Sequence, residues 1–394
     1  MSLFRLAFAY ARRRPLSMLL VVVMLALGVA TVALTLLVTH ELEARLTRDG
    51  AGIDLVVGAK GSPLQIVLAG VYHADVPTGN IPLAAVETLR RNPLVAQVIP
   101  LALGDSFLGA RIVGTERQLV AHYGGALESG ELWSLPLDAV LGSEVARASR
   151  LRVGDRFVGS HGLAEGGGQH ADARYTVTGV LASTGTVLDR LVLTSLDSVW
   201  ALHEHDRDAE AVAHRDVTMA LVKDRTPLAA LTLPRALDRD TALVAASPAL
   251  EMARLLAVFG AGVDLIRVFA GLLLAASTLM LFVALAQTLD EHRYDLAIMR
   301  ALGASRGQVA AVLLIESLLL AAVGTLLGLL IAHVAMAATG WWLPRAGPLA
   351  TAARTFLPQE WVVVGAALAA GIIAALWPAW RAYRLDVAAT LAEG

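Results

Sequence analysis

The sequence predicts a membrane protein with four transmembrane helices and a large α+β extracytoplasmic domain inserted between spans one and two. Three observations predict this fold class. The 394 residues are 56% hydrophobic, with a mean hydropathy of +0.63, which is more apolar than soluble globular chains usually are. Four long, predominantly apolar runs hold much of this apolar excess. The arginines beside these runs are unevenly divided between the two predicted sides of the membrane.

The charge and the cysteine content argue against several classes of protein. With 17% charged residues and a net charge of −2, the chain lacks the basic surface of a nucleic-acid-binding protein, so no nucleic-acid partner is expected. The absence of cysteine excludes disulfides, thiolate zinc sites, Fe–S clusters and a cysteine nucleophile.

The four apolar runs are long enough for the roughly 20 residues that cross a hydrocarbon core. Because irregular backbone cannot face lipid, each run predicts a helix. A cleavable signal peptide is the alternative for the first run, but its apolar region would span only about 7–15 residues. The predicted membrane segments are helix 1 at 16–40, the stalk with helix 2 at 255–289, helix 3 at 308–338 and helix 4 at 360–380.

The arginines predict the orientation, because cytoplasmic loops carry an excess of Lys and Arg. The predicted cytoplasmic segments are 1–15, 290–307 and 381–394, and the extracytoplasmic ones are 41–254 and 339–359. We therefore expect a multi-pass protein of the cytoplasmic (inner) membrane, with the large domain in the periplasm of a diderm cell. Nine arginines lie on the predicted inner side, namely Arg5, Arg12, Arg13, Arg14, Arg293, Arg300, Arg306, Arg381 and Arg384, whereas the short outer loop 339–359 has only two, Arg345 and Arg354.

The segment 41–254 has a soluble-like composition and predicts an α+β domain of mixed sheet. Strand-like runs separated by turn signals alternate with helix-like pieces at 83–91 and 195–204. Residues 247–267 have apolar side chains at helical spacing and predict a stalk helix that continues into the second span. The predicted strands are 54–57, 95–102, 111–114, 157–159, 175–181, 191–194 and 217–222.

Motifs of known catalytic chemistry are missing from the sequence. The loop 58–62 resembles a phosphate-binding loop only in composition, because Lys60 precedes Gly61 and Pro63 follows Ser62. A tight turn is the better interpretation of this loop. The sequence has no Walker A motif, no HExxH and no nucleophile elbow. We therefore expect no catalytic residue and no ATPase activity in this chain.

Histidines in the large domain are weak candidates for a metal site. Residues two apart share a face on a strand but diverge on a helix, and His with carboxylates suits a borderline metal. Solvated loop histidines are the commoner case, so both interpretations stay open. The candidates are His203, His205 and His214, and a second group of His161, His170 and Asp172.

The third span contains a carboxylate and a small-residue pattern. Glu316 would cost about 2.5–3.5 kcal/mol at the bilayer centre on insertion scales, which makes it a functional candidate. The alternative is that it snorkels or forms a hydrogen bond to a neighbouring helix. Gly324 and Gly328 form a GxxxG pattern that permits close helix approach. His333 lies near the far end of the span.

The cytoplasmic segment predicts an amphipathic helix at 290–302, with acidic residues early and Arg300 in the last turn. Gly303 follows at the predicted C′ cap position. A short helix between two spans is an element that an external motor could push. A surface helix without a partner is the alternative.

Residues 289–328, LDEHRYDLAIMRALGASRGQVAAVLLIESLLLAAVGTLLG, resemble the C-terminal permease module of the MacB/LolC/FtsX superfamily of ABC transporters, often called type VII. Residues 377–391 are similar to the superfamily's Pro-Ala-x-x-Ala segment, and 151–155 and 175–179 to its β elements. Runs 58–65 and 72–81 resemble a small-permease subgroup with haem-exporter-like and metal-stress-linked members. The residues that fill the family pattern are Asp295, where Glu is commoner, Arg300, Ala301, Leu302, Gly303, Ala304, Ser305, Glu316, Gly324 and Gly328.

The resemblance implies a permease that works as a dimer, either with itself or with a second permease, and that pairs with a separate cytoplasmic ABC ATPase. ATP and Mg would be bound by that ATPase, and no cofactor by this chain. Asp295 and residues 300–305 would couple the two subunits. An extracytoplasmic accessory protein is a further candidate partner.

Two functions stay open. In the first, mechanotransmission, ATP binding in the partner moves the cytoplasmic helices, and the stalks move the ectodomains to export or extract a substrate. In the second, an FtsX-like regulator activates an extracytoplasmic partner without transport. An ion-coupled secondary transporter is disfavoured, because the sequence lacks the discontinuous helices and inverted repeats expected of one.

Overall fold

The computed structural model describes residues 15–162, 169–204, 215–240, 242–342, 353–384 and 387. The chain divides into two compact units, Met1–Leu42 with Val258–Gly394, and Glu43–Ala257. Part of the predicted orientation lies outside the described residues, because it rests on Arg5, Arg12, Arg13, Arg14 and Arg345.

The elements are numbered in chain order. They are α1 (Pro15–Asp49), β1 (Leu55–Ala59), α2 (Pro63–Gly70), β2 (Ile81–Pro82), α3 (Leu83–Arg91), β3 (Val95–Phe107), β4 (Ala110–Thr115), α4 (Gln118–His122), β5 (Leu127–Gly130), β6 (Asp138–Leu141), α5 (Ser143–Ser149), β7 (Arg156–His161), β8 (Gln169–Leu181), a 3₁₀ helix (Val187–Arg190), β9 (Val192–Ser195), α6 (Leu196–Glu204), β10 (Asp216–Val217), β11 (Met219–Asp224), α7 (Pro227–Asp240), β12 (Leu243–Ala246), α8 (Pro248–Glu291), α9 (Arg293–Ala301), α10 (Arg306–Trp342) and α11 (Pro358–Tyr383).

Among the described residues, four helices are long and apolar enough to cross a membrane: α1, α8, α10 and α11. All four extend beyond their predicted spans, α1 and α8 by the most. Helix α1 continues to Asp49, beyond the predicted end at residue 40, because the polar run after the span has neither Gly nor Pro to stop it. Helix α8 is 44 residues long and has its only proline at the first position, so the predicted stalk and span form one uninterrupted helix.

Ten of the described strands form one mixed sheet, in the order β12-β1-β11-β3-β4-β9-β6-β8-β5, with β7 paired to both β3 and β8. The pairs β4–β9 and β6–β8 are parallel, and the other pairs of this sheet are antiparallel. Because β7 bridges β3 and β8, the six strands β3-β4-β9-β6-β8-β7 close into a ring. Strands β2 and β10 form a separate pair. This confirms the predicted α+β domain of mixed sheet.

Alternation along β1 divides the interior of this domain into layers. Val56 belongs to the cluster that contains Ile66 of α2, whereas Leu55 and Val57 belong to the cluster that contains Val86 of α3. Successive side chains of a strand point to opposite faces, so the sheet is covered by apolar side chains on both faces here.

We call the unit Met1–Leu42 with Val258–Gly394 the membrane unit. In it, α10 and α11 pack through small residues. Ser317 Oγ donates a hydrogen bond of 2.5 Å to the carbonyl oxygen of Gly371. A Cβ added at Gly371 would lie 2.8 Å from the Cβ of Ala321. The glycine therefore permits an approach that any larger residue would widen.

Candidate functional site

Helix α9 has one buried and one exposed apolar face. Leu296 and Ala297 are buried in the membrane unit. On the outward face, Tyr294, Ile298 and Leu302 are 47%, 38% and 83% exposed. A spacing of four residues places these three side chains on one stripe of the helix surface. We call them the apolar stripe.

The helix begins later than the sequence predicts. Asp290 and Glu291 belong to the end of α8, and α9 starts at Arg293 after a break at His292. The predicted helix 290–302 is therefore wrong at its start. The N–H of His292 donates to the carbonyl oxygen of Thr288 at 3.1 Å, which continues the helical hydrogen bonding of α8 through Glu291.

A Schellman motif ends α9 at the predicted glycine. Gly303 has φ of +104°, which residues with a side chain rarely adopt. Its N–H donates to the carbonyl oxygen of Arg300 at 3.1 Å, and the N–H of Ala304 donates to that of Met299 at 3.0 Å. These two bonds satisfy carbonyl groups that the helix end leaves without partners.

A capping box starts α10 two residues later. The N–H of Gln308 donates to Ser305 Oγ at 3.3 Å, and the N–H of Ser305 donates to Gln308 Oε1 at 2.8 Å. Residues 301–305 are therefore a helix stop followed directly by a helix start. Their role in this geometry is to set the angle between α9 and α10.

Ion pairs surround the start of α9. Asp290 Oδ1 lies 2.6 Å from Arg293 Nη2 and 3.4 Å from Arg381 Nη1 of α11. Asp295, a residue of the predicted coupling set, lies 3.1 Å from His292 Nδ1 through Oδ2. Exposed pairs of this kind contribute at most about 1 kcal/mol each. Their role is to position the α8–α9 junction, which the pair of Asp290 with Arg381 joins to α11.

Glu316 of α10 is buried at 1% exposure. Among the residues that the structure describes, neither of its carboxylate oxygens has a hydrogen-bond partner. The predicted alternative, a hydrogen bond to a neighbouring helix, is therefore not found within those residues. An unpaired buried polar group is costly, which favours the interpretation of Glu316 as a functional group.

Gly324 and Gly328 of α10 face α1. A Cβ at Gly324 would lie 2.7 Å from Cδ2 of Leu25, and one at Gly328 would lie 2.7 Å from the carbonyl oxygen of Ala26. The glycines therefore bring the two helix backbones together at this crossing.

Sequence reasoning missed a second buried carboxylate, Glu360 at the start of α11. Its Oε2 lies 3.0 Å from Nε2 of His333, and its Oε1 accepts from the N–H of Leu357 at 3.0 Å. His333 Nδ1 lies 2.9 Å from the carbonyl oxygen of Ala353. The available signal was an acidic residue in the first turn of a span, but its histidine partner is 27 positions away.

The weak metal candidates cannot be placed. His205, His214 and the side chain of His203 lie outside the described residues, as do the side chains of His161, His170 and Asp172. In the part of the chain that the structure describes, no group of three potential ligands comes together. In the predicted loop 58–62, Gly58 and Ala59 are the end of β1, and a bend at Lys60 and Gly61 leads to the N-cap of α2, where Ser62 Oγ accepts from the N–H of Gln65.

Two family models match the chain. Residues 18–232 match the MacB-like periplasmic core domain, and residues 267–387 match the FtsX-like permease C-terminal domain. No curated protein sequence matches the chain.

The fold is similar to two solved structures. One is the periplasmic region of MacB from Actinobacillus actinomycetemcomitans, at 14% identity over 53% of this chain and 95% of that one, with a TM-score of 0.36. The other is the extracellular domain of the noncanonical ABC-type transporter YknZ from Gram-positive bacteria. It matches at 10% identity over 49% of this chain and 98% of that one, with a TM-score of 0.31.

The MacB-like model spans more than half of the chain, and the FtsX-like model spans the later part of α8 together with α9, α10 and α11. The chain therefore belongs to the MacB/FtsX-type family and is a membrane permease subunit of an ABC transporter with an extracytoplasmic domain.

Proposed function

We propose that this chain couples ATP hydrolysis in a separate cytoplasmic ABC ATPase to movement of its extracytoplasmic domain, which exports or extracts a substrate. The apolar stripe of Tyr294, Ile298 and Leu302 is the observation that carries the proposal. The stripe is exposed on a helix whose other face is buried. A partner that covered the stripe would remove its apolar surface from water, which is favourable.

The ATPase is a separate subunit in this proposal, because the sequence contains no Walker A motif. ATP and Mg²⁺ would be bound there. Permeases of this family generally pair with a cytoplasmic ATPase and can dimerise. We propose that Asp295, Arg300 and residues 301–305 form the coupling region, with the stripe as the contact and the two caps as the rigid joint.

Two features support transmission of force from this joint. Helix α10 follows α9 through a hydrogen-bonded stop and start instead of a loose loop. Helix α8, which precedes α9, is 44 residues of unbroken helix, or about 66 Å at 1.5 Å per residue. A displacement of α9 therefore has a stiff element on each side.

The proposal also covers the membrane location and the partners of the chain. The chain would lie in the inner membrane with its large domain in the periplasm, as a homodimer or a heterodimer with a second permease. An extracytoplasmic accessory protein is a further proposed partner. The resemblance to haem-exporter-like and metal-stress-linked permeases stays a prediction about the substrate.

The test is ATP hydrolysis by the partner ATPase, reconstituted with this chain in nanodiscs. Leu302→Asp places a charge in the proposed contact, where an unpaired buried charge is costly, and should abolish both complex recovery and stimulation. Leu135→Asp is the matched control, since Leu135 is also an exposed leucine but lies in the unit Glu43–Ala257. Full stimulation by Leu302→Asp would show that α9 is only a surface element.

A second measurement separates the two functions that the family allows. Both a transporter and an FtsX-like regulator would bind the ATPase through α9. Only the transporter would move or extract a substrate in reconstituted vesicles. Stimulated ATP hydrolysis without any such movement, together with activation of an extracytoplasmic partner, would favour the regulator.

A further inference from the structure

A cleft of about 710 Å³ lies at one end of the extracytoplasmic unit. Its walls are β5, the first residues of α5, the loop after α5 and the end of β8. The volume falls within the range of about 300–1,000 Å³ that is typical of small-ligand sites. The family assignment gives no role to this cleft.

The backbone of the cleft walls is tightly packed. Gly142, just before α5, could not carry a side chain, because a Cβ there would lie 2.1 Å from the carbonyl oxygen of Leu188. Gly130 of β5 has φ of +76°, and a Cβ there would lie 2.1 Å from the carbonyl oxygen of Thr178. Two walls of the cleft are therefore held by direct backbone contacts, which is the preformed geometry that ligand sites use.

A buried hydroxyl without a partner lines the cleft. Ser143 is 5% exposed, and its Oγ has no hydrogen-bond partner among the described residues. Buried polar atoms are nearly always hydrogen-bonded, so a single unsatisfied one requires an explanation. This Oγ is itself shielded from solvent, so a ligand oxygen would reach it only after the Ser143 side chain rotates toward the cleft. The hydroxyl could then donate to an anion.

Two arginines supply positive charge to the same cleft. Arg147 and Arg152 both line it, and both are exposed. The Nε of Arg147 donates to the carbonyl oxygen of Ser143 at 3.2 Å, which leaves its two Nη groups for other acceptors. Within the described ranges neither arginine forms an ion pair. Guanidinium groups recognise carboxylates and phosphates through paired hydrogen bonds.

The remaining lining narrows the class of ligand. Leu151, Val153 and Val180 provide an apolar side, whereas Glu128 places one carboxylate on the β5 wall. Glu128 would repel an anion that approached it, so the anionic group is directed toward Ser143 and the arginines. The apolar side would contact an aliphatic group attached to that anion.

We propose that this cleft is a binding site for a small ligand that carries an oxyanion, either a carboxylate or a phosphate, next to an aliphatic group. Ser143 and the guanidinium groups of Arg147 and Arg152 bind the oxyanion, and Leu151, Val153 and Val180 contact the aliphatic part. The site does not depend on the ATPase contact proposed for α9.

The experiment is a ligand-observed NMR titration of the full chain in nanodiscs, with butyrate and monobutyl phosphate as probes and inorganic phosphate as the probe without an aliphatic part. Saturable binding of a butyl probe is expected. Arg147→Gln and Arg152→Gln should each weaken it about 10-fold or more, because each removes hydrogen bonds to a charged group. Ser143→Ala should weaken it about 2- to 10-fold, as expected for one neutral donor.

Arg91→Gln is the matched control, since Arg91 is an exposed arginine of α3 that does not line the cleft. It should bind as the unaltered chain does. Preference for butyrate or for monobutyl phosphate supports the proposal and identifies the oxyanion. The proposal is overturned if neither butyl probe binds saturably, if inorganic phosphate binds as tightly as monobutyl phosphate, or if both arginine variants bind like Arg91→Gln.

Discussion

The two units of this chain differ in how many of their large apolar side chains face outward. In Glu43–Ala257 the largest fully buried side chains are apolar and aromatic, such as Ile66, Leu101 and Tyr175. In the membrane unit, large apolar side chains such as Leu326 and Ile373 point outward. The residues buried there include alanines, serines and carboxylates, as the full burial of Ala321, Ser317 and Glu360 shows.

The difference follows from the solvent that each unit faces. In water, burial of apolar surface stabilises the fold, so the extracytoplasmic domain places its leucines inside. In lipid, an outward leucine carries no free-energy cost of exposure, and helices associate through close packing and hydrogen bonds. The helix contacts of the membrane unit therefore include the small residues Gly324, Gly328, Gly371 and Ser317.

The largest expected difference between the units comes from shortening one buried leucine of the extracytoplasmic domain and one outward leucine of the membrane unit. Leu101→Ala in β3 should lower the free energy of unfolding by about 2–5 kcal/mol, because it removes a fully buried side chain. Leu326→Ala in α10 should change it by less than about 0.5 kcal/mol, because that side chain is exposed. Denaturant unfolding of the full chain in nanodiscs measures both. Equal losses would contradict the contrast between the two units.

Enlarging a glycine tests the close packing of the membrane unit. Gly328→Leu should destabilise the chain by about 1–3 kcal/mol, since its Cβ would lie 2.7 Å from Ala26 O of α1. In Gly365→Leu, on α11, the new Cβ meets no heavy atom of the described residues within 4 Å. Thermal unfolding should therefore shift for the first variant and stay unchanged for the second. A shift of the same size in both would remove the role assigned to the α1–α10 contact.

The two buried carboxylates should respond in opposite directions. Glu360→Met breaks the contact with His333 and should destabilise the chain by about 1–3 kcal/mol. Glu316→Met removes unpaired oxygens and should raise the stability by about 1 kcal/mol, while it lowers stimulated ATP hydrolysis. Thermal unfolding and ATPase assays on the same samples measure both. If Glu316→Met instead destabilises the chain, Glu316 has a structural partner and its functional assignment fails.

The smallest effect concerns a carboxylate of the extracytoplasmic unit and depends on pH. Burial, and then the negative charge of Asp54, raise the pKa of Asp224 to about 6. Since an unfolded Asp has a pKa of about 3.9, ionisation destabilises the fold increasingly from about pH 4 to pH 6. Asp224→Asn should therefore stabilise the chain at pH 7.5 by on the order of 1 kcal/mol, given the screening at this partly exposed site, and have no effect at pH 3.5.

Thermal unfolding of Asp224→Asn at the two pH values tests this prediction. Asp54 is not a suitable site for the same change, because its Oδ2 accepts the N–H of Asp224 at 2.8 Å. A gain in stability at pH 3.5 equal to that at pH 7.5 would mean that charge is not the cause.

Sequence patterns located several of the described strands but missed the four-residue strands β5, β6 and β12, although the last two are largely buried. The predicted strands at 95–102, 111–114 and 175–181 lie within β3, β4 and β8. Strand β5 was missed because all four of its residues are exposed, so buried and exposed positions do not alternate along it. The pairings that close the ring through β7 join residues far apart in sequence, so no local pattern could reveal them.

The sequence by itself determined the membrane helices and the Gly303 cap, because uninterrupted apolar length and a glycine after an arginine-ended helix are local properties of the chain. Only the tertiary structure decided the exposed stripe on α9, the partners of Glu360 and the unsatisfied hydroxyl of Ser143. Each of these depends on which side chains of distant elements come within a few ångströms, and that proximity is set by packing, which a linear sequence does not contain.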